Sequence, residues 1–151
     1  MIVQRVAFPG GSRPFMLRVR PDGRAVWVQT QATAMNVVLD AESMAVMQST
    51  PVGRDPEQSA FQPGGPYGLI AHLASDALFV LDRTSGDVVT RIELGESQGN
   101  ICFRPDGAVA FVTSPSDNSV LVVDMDQLAV VGRIPTGMRP QGLVLLNPSA
   151  P

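Results

Sequence analysis

A period of 42 residues governs this chain. Gly11, Gly53, Gly95 and Gly137 stand 42 apart, as do Pro21, Pro63 and Pro105. Gly23, Gly65 and Gly107 keep that spacing, and so do Asp40, Asp82 and Asp124. Pro14 and Pro56 are followed by Gln98, the one exception, and then by Pro140. Residues 95–136 therefore fall on 53–94, and these on 11–52, without a gap. A fixed period of this length marks a chain built from copies of one supersecondary unit. Each copy buries its apolar face against its neighbour.

The unit holds four short strand candidates separated by turn signals. The first strand is expected at 17–20 and 101–104, followed by Pro-Asp-Gly at 21–23 and 105–107. Proline presets the first φ of that turn, aspartate bonds the local backbone, and glycine takes a positive φ. The second strand is expected at 25–29 and 109–113, and a polar loop such as 114–118 follows it. The third strand, at 37–39, 78–81 and 120–123, ends on the recurring aspartate. A turn such as 82–86 then leads to the fourth strand, at 88–92 and 130–134. The aspartates Asp40, Asp82 and Asp124 read as caps of that turn. They recur one per unit, so adjacent copies need not converge as an acid–base pair requires.

Four consecutive antiparallel strands every 40–45 residues or so are the pattern of a β-propeller blade. The nearly uniform apolar character of the third strand fits a strand covered on both faces. A β-sandwich does not demand a strict repeat, and a β-helix uses much shorter coils. The fold class is thus all-β: an arc of four-stranded antiparallel propeller blades that forms an incomplete ring in one chain. The units are expected at 11–52, 53–94 and 95–136. Residues 1–10 take the place of the outer strand of a further blade, and 137–151 supply a further first strand plus a frayed tail at 147–151. The count is fourteen strands. In the middle unit, Pro63-Gly64-Gly65-Pro66 replaces Pro-Asp-Gly, and Pro66 and Gly68 are expected to weaken its second strand.

These motifs resemble the YVTN family of propeller repeats. The resemblance lies in a proline followed seven residues later by Pro-Asp-Gly, then Ala-Val-Ala-Phe-Val-Thr-Ser, Asn-Ser-Val-Leu-Val-Val-Asp and Val-Val-Gly-Arg-Ile-Pro-Thr-Gly. It covers almost the whole chain and is weakest in the middle unit. The Trp-Asp signature of WD40 blades is absent. The resemblance implies that first strands line a central channel and fourth strands lie outermost. It also implies that the fourth-to-first and second-to-third loops gather on the face that usually carries ligands. That face would hold Arg13, Arg54, Asp55, His72, Asn118 and Arg139.

Closed propellers have about four to eight blades. An arc of three and a half leaves two apolar blade faces in need of cover. The chain is either a piece of a longer propeller, or one part of a ring of about seven or eight blades completed by a second copy, or an open arc. The last is the least favourable, and self-association through the exposed faces is expected.

Composition narrows the partners. A net charge of −3 over 151 residues argues against a nucleic-acid footprint, which requires a basic face. The longest apolar runs are far too short to span a bilayer. Aromatic residues make up 5% of the chain, leaving few rings for stacking on bases or sugars. The single cysteine excludes an internal disulfide framework. Residues 1–5 show no export signal; the compartment stays open, although the resemblance leans periplasmic or extracellular.

Few residues point to chemistry. His72 is the only histidine, and a metal site needs several converging ligands. It reads as a polar residue ending a strand. Cys102 reads as an inert, half-buried thiol, since no basic partner is evident. The recurring glycines precede no helix, so a phosphate cradle fails. Arg13, Arg54 and Arg139 recur at the start of first strands. On a ring mouth they would attract an anion, though a solvated rim is the simpler account. No catalytic residue, cofactor or metal is expected. The reading is a non-enzymatic scaffold that binds a protein or a small molecule. The alternative is part of a propeller enzyme or redox-associated protein, of the lactonase, quinoprotein or haem-d1 kind that the resemblance allows.

Overall fold

The computed structural model describes residues 1, 4–95 and 97–146 and resolves into three four-stranded antiparallel sheets. Blade one comprises β1 (Pro14–Val19), β2 (Ala25–Thr30), β3 (Met35–Asp40) and β4 (Val46–Pro51). Blade two comprises β5 (Pro56–Phe61), β6 (Tyr67–His72), β7 (Ala77–Asp82) and β8 (Val88–Glu93). Blade three comprises β9 (Ile101–Phe103), β10 (Val109–Ser114), β11 (Ser119–Asp124) and β12 (Ala129–Pro135). Each sheet runs in chain order, as a meander of tight turns must. The first strands β1, β5 and β9 neighbour one another in turn. The fold is a β-propeller arc. Among the described residues no helix is long and apolar enough to cross a membrane.

The period extends to the irregularities. A bulge interrupts the β3–β4, β7–β8 and β11–β12 ladders at Val38/Leu39, Val80/Leu81 and Val122/Val123, always at the same point of the unit. Met44, Gly86 and Leu128, again one period apart, take positive φ of 58°, 81° and 49° in the turns alongside. A bulge adds local twist and so helps give each blade its shape. In those turns Asp40 Oδ1 accepts from the N–H of Ser43 (2.8 Å), Asp82 Oδ1 from Ser85 (2.7 Å) and Asp124 Oδ1 from Gln127 (2.8 Å). The three aspartates are turn caps. These bonds hold the Asp40 and Asp82 carboxyls below their ordinary range.

Blades pack face to face. Strand residues alternate sides, so each blade sends one apolar set backward and one forward. Between blades one and two lie Ala25, Trp27 and Val38, which meet Ile70, Phe79 and Leu81. Between blades two and three lie Leu69, Leu78 and Val80, which meet Val112, Leu121 and Val123. Polar ties run beside the first strands. Ser59 Oγ donates to Gln29 Oε1 (3.1 Å), whose amide Nε2 donates to Asn36 Oδ1 (2.9 Å). The Ile101 N–H donates to Gln58 Oε1 (2.5 Å).

The middle blade corrects its sequence reading. β6 is a regular strand, paired with β5 and with β7, despite Pro66 and Gly68. Gly68 serves the neighbouring blade. A Cβ there would stand 2.5 Å from Cη2 of Trp27 and 2.6 Å from Cζ3. The missing side chain makes room for the indole, which is fully buried and meets Phe61 edge-on at 4.8 Å between ring centroids.

The terminal segments also depart from expectation. The structure has twelve strands among the described residues, not fourteen. Residues 4–8 and 137–146 join no ladder, because the neighbouring strands with which they would pair are not among the described residues. Residues 2, 3, 96 and 147–151, which belong to the segments expected at 1–10, 95–136 and 137–151, lie outside the described residues.

Gly68→Ala should lower stability by about 1–3 kcal/mol, read as a drop in urea midpoint, because the added methyl overpacks the indole site. Trp27→Phe in the same chain should recover part of that loss. An unchanged midpoint in the single variant would show that the indole yields freely.

Candidate functional site

The loops between blades and the β2–β3, β6–β7 and β10–β11 loops meet at one end of the arc. One repeated bond ties them. The N–H of Val52, Leu94 and Thr136 donates to the carbonyl of Ala34, Asp76 and Asn118, each at 2.9 Å. Arg13, Asp55, Ser97 and Arg139, each one period from the next, all hold positive φ, between 49° and 61°. A left-handed backbone is costly for non-glycine residues and persists only where its surroundings enforce it. The loop end is therefore conformationally fixed.

Each residue expected on the ligand face can be placed. Arg13 is exposed, and its Nη2 donates to Gln31 Oε1 at 3.2 Å. Arg54 is exposed, with its backbone N–H held by Ser75 Oγ at 2.9 Å. Asp55 is half-buried, and its carbonyl accepts from the N–H of Leu73. Asn118 turns its side chain to the next loop, where Oδ1 accepts from the N–H of Arg139 at 2.9 Å. Arg139 itself is exposed.

Four of these six face a common polar surface or lie beneath it. A depression of about 490 Å³ is lined by Arg54, Ser75, Asp76, Ser97 and Ser116, among others. A second, of about 500 Å³, shares Ser97 and Ser116 and continues to Asn118 and Arg139. The two adjoin, so a polar groove crosses from blade two to blade three. Arg13 stands apart at blade one, and Asp55 lines neither depression. Among the described residues, neither Arg54 nor Arg139 is in an ion pair.

His72 lies under this groove, one residue before Leu73 in its wall, and does not reach solvent. Its ring meets the Phe79 ring at 4.8 Å. Neither ring nitrogen has a well-formed hydrogen bond. Burial pushes the imidazole down to about 4, against a weaker opposing interaction with the backbone of Ala77. It is a neutral core residue rather than an available base or ligand. No group of three or more His, Cys, Asp or Glu residues able to hold a metal comes together among the described residues.

The residue that sequence reasoning missed is Gln98. It breaks the proline series and is fully buried. Its Nε2 donates to the carbonyls of Ser75 (2.8 Å) and Gly95 (2.7 Å). Its Oε1 accepts from the N–H of His72 (3.3 Å), and its own N–H donates to the His72 carbonyl (2.7 Å). Proline could make none of these bonds. Gly53 is fitted to the same loop: a Cβ there would run into Ser75 and would stand 2.9 Å from His72 Cδ2. The signal in the sequence was the exception itself, a polar amide where every other unit carries proline.

Comparison with known proteins supports the fold. Kuenenia stuttgartiensis hydrazine synthase superposes with a TM-score of 0.79 at 25% identity, over 91% of this chain and 40% of that one. The WD40 repeats of RRP9 superpose with a TM-score of 0.77 at 17% identity, over 87% of this chain and 41% of that one. The chain thus spans about two fifths of either neighbour. No family model matches the chain, and no curated protein does. These neighbours establish a propeller-like fold.

Two outcomes follow. As pH falls from 6.5, the unfolded histidine takes up a proton that the folded one refuses until about pH 4. Stability should therefore fall by about 1.4 kcal/mol per pH unit across that window, and no such loss should appear above it. Glu57, whose carboxyl is raised by burial and then by Asp55, acts in the opposite sense. His72→Leu should flatten the slope; a slope that survives would assign it elsewhere. Gln98→Ala should cost about 1–3 kcal/mol, since it strands buried partners, and chemical denaturation would read the loss.

Proposed function

We propose that this chain is a non-enzymatic binding scaffold of the YVTN-like propeller kind, engaging a protein or small-molecule partner across the groove between Arg54 and Arg139. The observation that carries the reading is the groove itself. Its walls come from two blades, its loops are held in a fixed backbone, and its lining combines hydroxyls and the Asp76 carboxylate with two cations free of ion pairs among the described residues. Such a surface suits a partner that offers carboxylates and hydrogen-bond acceptors. Propeller folds host many functions, so the site and not the fold carries this proposal.

A second reading is part of a propeller enzyme, and one observation favours it: a structural neighbour at 25% identity is hydrazine synthase. Metal analysis combined with a lactone-hydrolysis screen separates the two. The scaffold reading expects no stoichiometric metal and no turnover. Stoichiometric metal held through His72 and nearby carboxylates would overturn it. For binding, selection against immobilised acidic and neutral peptides should enrich acidic sequences. The Arg54→Ala/Arg139→Ala double variant should bind them about tenfold more weakly, the loss of roughly one charge-assisted contact. An Arg24→Ala/Arg83→Ala variant, altered outside the groove, should bind as the parent does. Equal binding by all three proteins would remove the groove from consideration.

A further inference from the structure

We propose that the open face of blade three receives blade one of a second copy of this chain, so that two copies close head to tail into a six-bladed ring. The proposal goes beyond the loop-face reading and does not depend on it. It rests on the repeat. Inside the arc, Leu69, Leu78 and Val80 of blade two meet Val112, Leu121 and Val123 of blade three. Blade three's open face carries Phe111, Val120 and Val122, one period beyond the first of these sets. Blade one's outward face carries Val28, Val37 and Leu39, each less than a tenth exposed beneath Val6 and Phe8 and one period before Ile70, Phe79 and Leu81, which pack on blade one. The two ends of the chain are thus the two halves of a contact that the molecule already makes twice within itself. Any other occupant would have to present the same apolar positions on a blade of the same shape. A second copy does so by construction.

The terminal segments hold these places incompletely. Val6 and Phe8 lie against Val28, Val37 and Leu39, yet Leu17 and Val19 on the same side remain 58% and 55% exposed. At the other end Leu143, Val144 and Leu145 lie over Cys102, Phe111, Val120 and Ile134. An apolar cavity of about 300 Å³ remains between them, and Val144 stays 75% exposed. A single extended segment cannot fill a face built for a four-stranded sheet, and the unfilled space forfeits packing. Leu145 stands two periods after Phe61, and Phe111 two periods after Trp27. The tail therefore imitates the Phe61–Trp27 contact between blades one and two. A whole blade from a second copy would displace both covers. Six blades fall within the usual range for closed rings. Head-to-tail contacts close when the rotation per copy completes the circle, and otherwise run on as filaments.

Sedimentation velocity of the 151-residue chain over a wide concentration series tests the proposal. The expected species has twice the 16.0 kDa mass of one chain. Leu17→Glu, on an already exposed position, should leave the circular dichroism spectrum unchanged and return the protein to monomer. Met138→Glu, 90% exposed on the loop side, should leave the dimer intact. Phe8→Ser with Leu145→Ser, which loosens both covers, should shift dimer formation to lower concentration. A monomer at every concentration, a dimer indifferent to Leu17→Glu, or a ladder of ever larger species would each overturn the two-copy ring.

Discussion

Trp27 wedged against Phe61 and into the space above Gly68 is the contact from which the arc takes its form. A blade is a thin sheet with apolar residues on both faces. Alone, it would leave both in water, at a cost that three short hairpins cannot offset. Stacking blade on blade removes most of that exposure. It also sets the angle between sheets, because each large side chain must find a recess on the next blade. The indole is the largest group at the first such joint, and the glycine opposite it is the recess.

The same demand explains the polar elements. Strand ends and turns leave backbone groups that water or a side chain must satisfy. Aspartate does this at every β3–β4-type turn, and a carbonyl-to-amide bond does it at every junction on the loop side. Gln98 does it once, by a route proline could not offer. The loop side is therefore a rigid surface whose side chains can vary without disturbing the sheets beneath. Ligand-binding loops on a rigid scaffold are the usual arrangement for function.

The arc's ends are its unfinished part. The forces that join blades within the chain act equally on the outward faces, and the terminal segments answer them only in part. Loop side and end faces are separate surfaces with different chemistry, one polar and charged, the other almost wholly apolar. A partner on one need not compete with a partner on the other.

Much of this was legible in the residues. The 42-residue spacing determined the number of units, their strands and their turns, because turn glycines and aspartates obey local backbone rules that need no distant partner. That Arg54, Asn118 and Arg139 lie on one loop side was implied by the resemblance to propeller repeats and not by the spacing itself. What the sequence alone misjudged depended on neighbours it could not see. Gly68 looked like a weakness because its reason for being small lies on another blade, forty-one residues away at Trp27. His72 read as a polar residue ending a strand, but only packing showed it buried against Phe79 with its ring neutral. Gln98 looked like a lapse in the pattern until four hydrogen bonds, three of them with the distant backbone of His72 and Ser75, accounted for it. Local conformation is a property of a few consecutive residues, whereas burial and complementarity belong to pairs, and only the tertiary structure brings those pairs together.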